Sequence, residues 1–245
     1  MIDSIAIFIL VGIFAAAVLY SSVGHAGASG YIAVMALAGL APDQLKPAAL
    51  ILNILVASIA SVKYYRVNAF SWRLLWPLIV TSIPCAFLGG AFTLAPQYYK
   101  PVLGLVLIYA AVHSFLTAKT ISDQIRAPHH SVLFLVGAMI GFLSGLIGVG
   151  GGIFLSPILL FLRWGETRVV SGVAAAFILV NSISGLVGVM TKQPELPAGL
   201  SYWAIAAIAG GWLGSEFGSK RLNNTRIRKI LSIVLLIAGF KMLFA

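Results

Sequence analysis

Acidic side chains are scarce in this sequence, with six Asp and Glu in 245 residues. Asp3, Asp43, Asp123, Glu166, Glu195 and Glu216 all fall between apolar runs or at their ends. That placement argues against a carboxylate proton relay or a cation site inside a membrane. Cysteine is scarcer still. Cys85 stands alone within an apolar run, so no disulfide framework and no thiolate metal cluster is expected, and it reads as a small core residue. The chain has no Walker A sequence and no separate nucleotide-binding segment, so neither a cofactor nor direct drive by ATP is expected.

Charge is low altogether. Charged residues make up 9% of the chain and apolar residues 60%, against about a quarter charged in a soluble domain. With a mean hydropathy of +1.04, the composition is that of an integral membrane protein. The net charge of +10 does not point to nucleic acid. Its basic residues occupy short gaps between apolar runs and form no aromatic-interleaved basic face. Residues 5–20 lack the basic lead and small-residue cleavage signal of a leader peptide and read as part of the mature protein.

Apolar stretches run over residues 5–22, 30–40, 47–62, 74–94, 102–117, 132–147, 151–162, 169–190, 200–215 and 230–244. A helix needs about 20 residues to cross about 30 Å of hydrocarbon. The stretches 30–40 and 151–162 are too short for that, and each follows a glycine cluster, so both read as half-helices. Each pairs with the segment before it as a bent, re-entrant hairpin.

The chain also repeats itself. Val23-Gly24-His25-Ala26-Gly27 is echoed by Ile147-Gly148-Val149-Gly150-Gly151, Asn53 by Asn181, Leu88-Gly89-Gly90 by Leu213-Gly214-Ser215, and residues 103–110 by 231–238. Four matches in the same order, at offsets of 124 to 128 residues, predict two halves: residues 1–117 and 131–245, joined by a cytoplasmic linker at 118–130. Each half is a broken hairpin followed by three transmembrane helices. Threaded this way, twelve of the sixteen basic residues fall on one side, and only Lys46, Lys100, Lys192 and Lys241 on the other. The positive-inside rule then puts both termini in the periplasm. A hairpin plus three crossings is an odd number of crossings, so the second half is inverted. The expected fold is an all-α integral membrane protein of two inverted-topology repeats in a single membrane domain.

Irregular backbone at membrane depth is tolerated only where protein buries it or where it lines a watery cavity. Two such breaks in related places therefore mark the default substrate site. A half-helix that starts after Gly27 or Gly151 aims unpaired N–H groups into the midplane, and such groups attract anions. The candidate residues are Gly24, His25, Gly27, Asn53, Ser144, Gly148, Gly150, Gly151 and Asn181. Asn53 and Asn181 either line the cavity or cross-link helices. Ser21, Ser22 and Ser144 either offer hydroxyls or bond back to their own helices. His25 has no counterpart, since Val149 takes its place, and is either a proton-linked ligand or a core imidazole. Glycines at four-residue spacing, Gly137, Gly141 and Gly145, then Gly210, Gly214 and Gly218, predict close helix crossings.

Residues 141–159, GFLSGLIGVGGGIFLSPIL, together with Ser171 to Gly185 around Asn181, resemble the sulfite exporter TauE/SafE family, also called the 4-toluene sulfonate uptake permeases. The first half repeats both elements more loosely, its glycine run thinned to Gly24-His25-Ala26-Gly27-Ala28-Ser29-Gly30. The resemblance implies transport of sulfite, sulfoacetate or related organosulfonates across the bacterial inner membrane. It also implies that Gly148, Gly150, Gly151 and Asn181 belong to the translocation region, with Gly24, Gly27 and Asn53 as their repeat partners. The expected partners are a small anionic substrate and the lipid bilayer, with no nucleic acid; a homodimer stays open. The competing class is a passive anion channel. A hydrolase built on Ser22 and His25 lacks a nucleophile elbow and an intramembrane carboxylate, so no enzyme is expected.

Overall fold

The computed structural model describes residues 4–92, 95–116 and 125–220, together with Leu236, Phe240 and Leu243. Among the described residues there are nine α-helices: α1 (Ser4–Ser21), α2 (Ala28–Leu37), α3 (Pro42–Arg66), α4 (Trp72–Ala91), α5 (Pro96–Leu116), α6 (His130–Ile147), α7 (Gly152–Phe161), α8 (Thr167–Met190) and α9 (Leu200–Lys220). The apolar stretch 230–244 lies almost wholly outside the described residues. Among the described residues, five helices, α1, α3, α4, α6 and α8, are long and apolar enough to cross a bilayer. The protein is therefore a multi-pass membrane protein.

Helix α3 begins at Pro42, five residues before the apolar stretch that announced it. Asp43 and Lys46 end the apolar run early, yet proline at the first helical position is favourable and Pro47 still lies close to the helix start. Helix α5 likewise starts at Pro96 instead of residue 102.

The two short helices have 10 residues each, a rise of about 15 Å, half of the hydrocarbon core. Protein covers most of their surface. Every residue of α2 from Ala28 to Ala36 is buried, and most of α7 is too. The open ends of a half-helix in lipid would leave orphan backbone groups costing several kcal/mol each, so enclosure is what allows the break.

Close packing of small residues assembles the rest. Helix α6 lies against α4 along Gly137, Gly141 and Gly145, where a Cβ on Gly141 would come 2.6 Å from Ser82 Cα. Helix α9 lies against α1 along Gly210, Gly214 and Gly218, where a Cβ on Gly218 would come 2.6 Å from Ser22 Cα. Lipid tails are as apolar as leucine, so shape and van der Waals contact hold these crossings together. Helix α3 packs on α8 and α9, and α8 on α4, which joins the α1–α9 and α4–α6 pairs through the centre of the bundle.

Candidate substrate site at the two helix breaks

The first break runs from Ser22 to Gly27. After α1 ends, Val23 N and His25 N both donate to Tyr20 O, at 3.1 and 3.0 Å, and the chain reverses through Gly24 at φ 78°. Gly27, at φ 112°, is the N-cap of α2, and no side chain caps that helix. Tyr31 holds the far side of the turn by donating its hydroxyl to Ala26 O at 2.5 Å.

The second break is built the same way from different residues. Gly148 closes α6 by donating to Ser144 O at 2.8 Å, and Gly151, at φ 83°, is the N-cap of α7, again without a side-chain cap. Tyr99 Oη donates to Ile147 O at 3.1 Å, satisfying one carbonyl that the end of α6 leaves open. Gly150 sits at φ 77°, where a side chain is strained, and a Cβ there would come 2.5 Å from Asn53 Nδ2. Glycine at 150 thus lets an amide from α3 reach the backbone of the break.

The two breaks meet. His25 Nε2 lies 3.0 Å from Gly152 O, across 127 residues of sequence, in a geometry that needs the proton on Nε2. Asn53 Nδ2 donates to Val149 O and to Ser182 Oγ, each at 3.3 Å. His25 and Asn53 therefore both reach into the second break. Asn181 behaves differently: its Nδ2 donates to Phe177 O of its own helix at 2.8 Å. In both asparagines the amide nitrogen is taken, and the buried Oδ1 has no hydrogen-bond partner. Ser144 Oγ, fully buried beside Gly151, also has none. Ser21 and Ser22 donate back to Ala17 O and Leu19 O of α1, the local use open to a helical serine.

Two contacts are separated by nearly the same number of residues. A Cβ on Gly24 would come 2.5 Å from Ser171 Cβ on α8, and one on Gly148 would come 2.9 Å from Lys46 Cγ on α3. Gly24 and Gly148 are 124 residues apart, and Lys46 and Ser171 are 125 apart.

Lys46 escaped the sequence reading, which treated it as a loop residue outside the membrane. Its side chain is folded inward, and Nζ donates to Gly89 O, Gly90 O and Phe92 O at 3.2, 3.0 and 3.1 Å. A cation at the carbonyl end of α4 is well placed against the helix dipole. Among the described residues it has no carboxylate partner, the one ion pair being Lys63 with Glu216. The available signal was its position just before Pro47, one turn into a helix instead of ahead of it.

Comparison with known proteins gives a consistent result. The family model of the sulfite exporter TauE/SafE matches residues 8–242. The probable membrane transporter protein y4hK of Sinorhizobium fredii is 39% identical, over 99% of this chain and all of that protein. The probable membrane transporter protein MJ0441 of Methanocaldococcus jannaschii is 26% identical, over 78% of this chain and 75% of its own length. The probable membrane transporter protein YjnA of Bacillus subtilis is 25% identical, over 96% and 98%. No solved structure matches the chain.

Proposed function

Because the chain belongs to the sulfite exporter TauE/SafE family, we propose that it is a secondary transporter moving a small sulfur oxyanion, such as sulfite or an organosulfonate, across the bacterial cytoplasmic membrane. The anion binds where α2 and α7 begin. The observation that carries this reading is the His25 to Gly152 contact, which brings the two uncapped helix starts into one place inside the bundle. Uncapped N-termini present orphan N–H groups and partial positive charge to an anion.

The electrostatics of the surroundings favour the same ligand. No acidic residue falls within the break sequences, and the Lys46 stem packs on Gly148 while its ammonium sits on the carbonyls that end α4. In a low-dielectric interior that charge acts over several ångströms even though its protons are donated elsewhere. Gly24, Gly27, Gly148, Gly150 and Gly151 let the backbone approach the anion, His25 and Asn53 hold the breaks together, and Ser144 and Asn181 supply polar groups from α6 and α8.

In this reading residues 1–117 and 131–245 are inverted repeats with both termini periplasmic, and transport is the rocking of one against the other. The Gly24–Ser171 and Gly148–Lys46 contacts support it, being one contact made twice with the halves exchanged. The relatives are named as transporters, and nothing in these comparisons favours a passive channel.

The test is flux of labelled sulfite, or of a small sulfonate, into liposomes holding the purified chain. Counterflow and saturation are expected. Asn181→Ala and Gly151→Leu should abolish the flux while the protein still folds, and normal transport by both would remove the site from the breaks.

A further inference from the structure

A cavity lies away from the breaks, where three helices begin. It measures about 510 Å³ and is lined by cap and first-turn residues of α4, α6 and α8. Ser71, His129 and Glu166 are the three N-caps, and none makes a side-chain capping bond. The wall carries two guanidinium groups, Arg73 and Arg126. Among the described residues neither has an ion pair or a side-chain hydrogen bond, and Arg126 is fixed through its backbone N–H to Arg163 O at 2.8 Å. One carboxylate, Glu166, also faces the cavity, so the lining stays net positive.

The remaining wall is apolar. Phe70, Leu74, Leu133 and Val169 line it, with Trp164 beside them. Ile125, at 57% exposure, also lines it, and Trp72, at 61%, stands between the lining residues Ser71 and Arg73 on the outer surface. A free inorganic anion has no use for such a wall. A lipid does, because its glycerol and first methylenes follow its phosphate into the site. Tryptophans at helix ends also place this region at headgroup depth.

We infer that this cavity binds the phosphodiester headgroup of a membrane lipid, with Arg73 and Arg126 on the phosphate and Glu166 accepting from a hydroxyl or ammonium beyond it. Arginine suits the phosphate because its planar fork donates two parallel bonds. The three helix starts add partial positive charge around the same cavity. A lipid held there ties together the entry points of α4, α6 and α8, the helices that pack against one another on that side of the bundle. Assigning it to the cytoplasmic leaflet rests on the orientation proposed above; the binding itself does not.

The experiment is native mass spectrometry of the full-length protein in detergent, titrated separately with phosphatidylglycerol, phosphatidylcholine and inorganic phosphate. Phosphatidylglycerol should bind at least tenfold more tightly than phosphatidylcholine, whose headgroup offers Glu166 no donor. Inorganic phosphate should not displace it at equal concentration. The double variant Arg73→Gln, Arg126→Gln should weaken phosphatidylglycerol about thirtyfold, the worth of two surface cations near anionic lipid. Lys192→Gln, which removes one positive charge elsewhere on the surface, should leave binding unchanged. Equal binding of both lipids by the wild-type protein overturns the inference whether or not the double variant folds. So does an unchanged affinity in that variant, and displacement by inorganic phosphate would assign the cavity to a free oxyanion instead. Because the readout is lipid binding and not flux, failure here leaves the proposed transport site standing.

Discussion

His25 Nε2 and Gly152 O, 3.0 Å apart, tie the first helix break directly to the start of the second half-helix. One side chain thus registers the two breaks against each other, and its removal separates them. His25→Ala should lower sulfite flux at least tenfold. His25→Gln, whose amide can still donate to a carbonyl at similar reach, should recover much of the loss. Initial rates in proteoliposomes decide it, and a wild-type rate in His25→Ala would show that the contact is dispensable.

Lys46 should be needed for more than stability. Lys46→Met keeps the length of the stem but leaves three carbonyls without their donor, at a cost of about 1–3 kcal/mol for a buried unsatisfied group. Thermal unfolding in detergent should report that loss. If its charge also draws in the substrate, flux at low sulfite should fall more than flux at saturation. Lys46→Arg, which keeps the charge, should restore that balance.

Gly150 and Gly39 form a matched pair. Both have positive φ, but a Cβ on Gly150 would press on Asn53 Nδ2 and Ile178, whereas one on Gly39 would meet nothing within 4 Å. Each alanine pays the backbone strain of about 1 kcal/mol. Only Gly150→Ala should also displace Asn53 and stop transport, while Gly39→Ala should transport normally. Parallel flux and melting measurements separate the two effects.

Asn53→Asp should be more damaging than Asn53→Ala. The aspartate would set a carboxylate against Val149 O, with no donor to offer and negative charge beside a site proposed for an anion. Flux should vanish in the aspartate variant at neutral pH and remain measurable with alanine.

The helix crossings give a prediction independent of transport. Gly141→Leu forces a side chain into the backbone of Ser82, and α4 and α6 cannot close around it without shifting. Yield of folded protein should collapse. Cys85→Ala on the neighbouring face of α4, a half-buried position, should be tolerated.

The breaks were legible because glycine clusters, short apolar runs and the absence of intramembrane acid each carry a local physical meaning. The run from Gly148 to Gly152 could hardly be continuous helix, and a 10-residue apolar helix cannot span a bilayer. What Lys46, Ser171 and Tyr99 do was not legible. Each acts on a residue at least 43 positions away, through contacts that leave no mark in the neighbouring sequence. The paired serines and asparagines were open for a similar reason, since a helical serine or amide can turn inward to a partner or back to its own carbonyls. Asn53 does the first and Asn181 the second.

By itself the chain determined its solvent, its helices and where they break, because hydropathy, length and backbone freedom are properties of short segments. Only the tertiary structure decided which residues meet at those breaks: His25 with Gly152, Asn53 with Val149, Lys46 with the end of α4. The reason is that lipid drives no preference among apolar helix faces. Partner choice rests on the fit of small residues and on finding a donor for every buried carbonyl, and both are settled only when all the helices are in place.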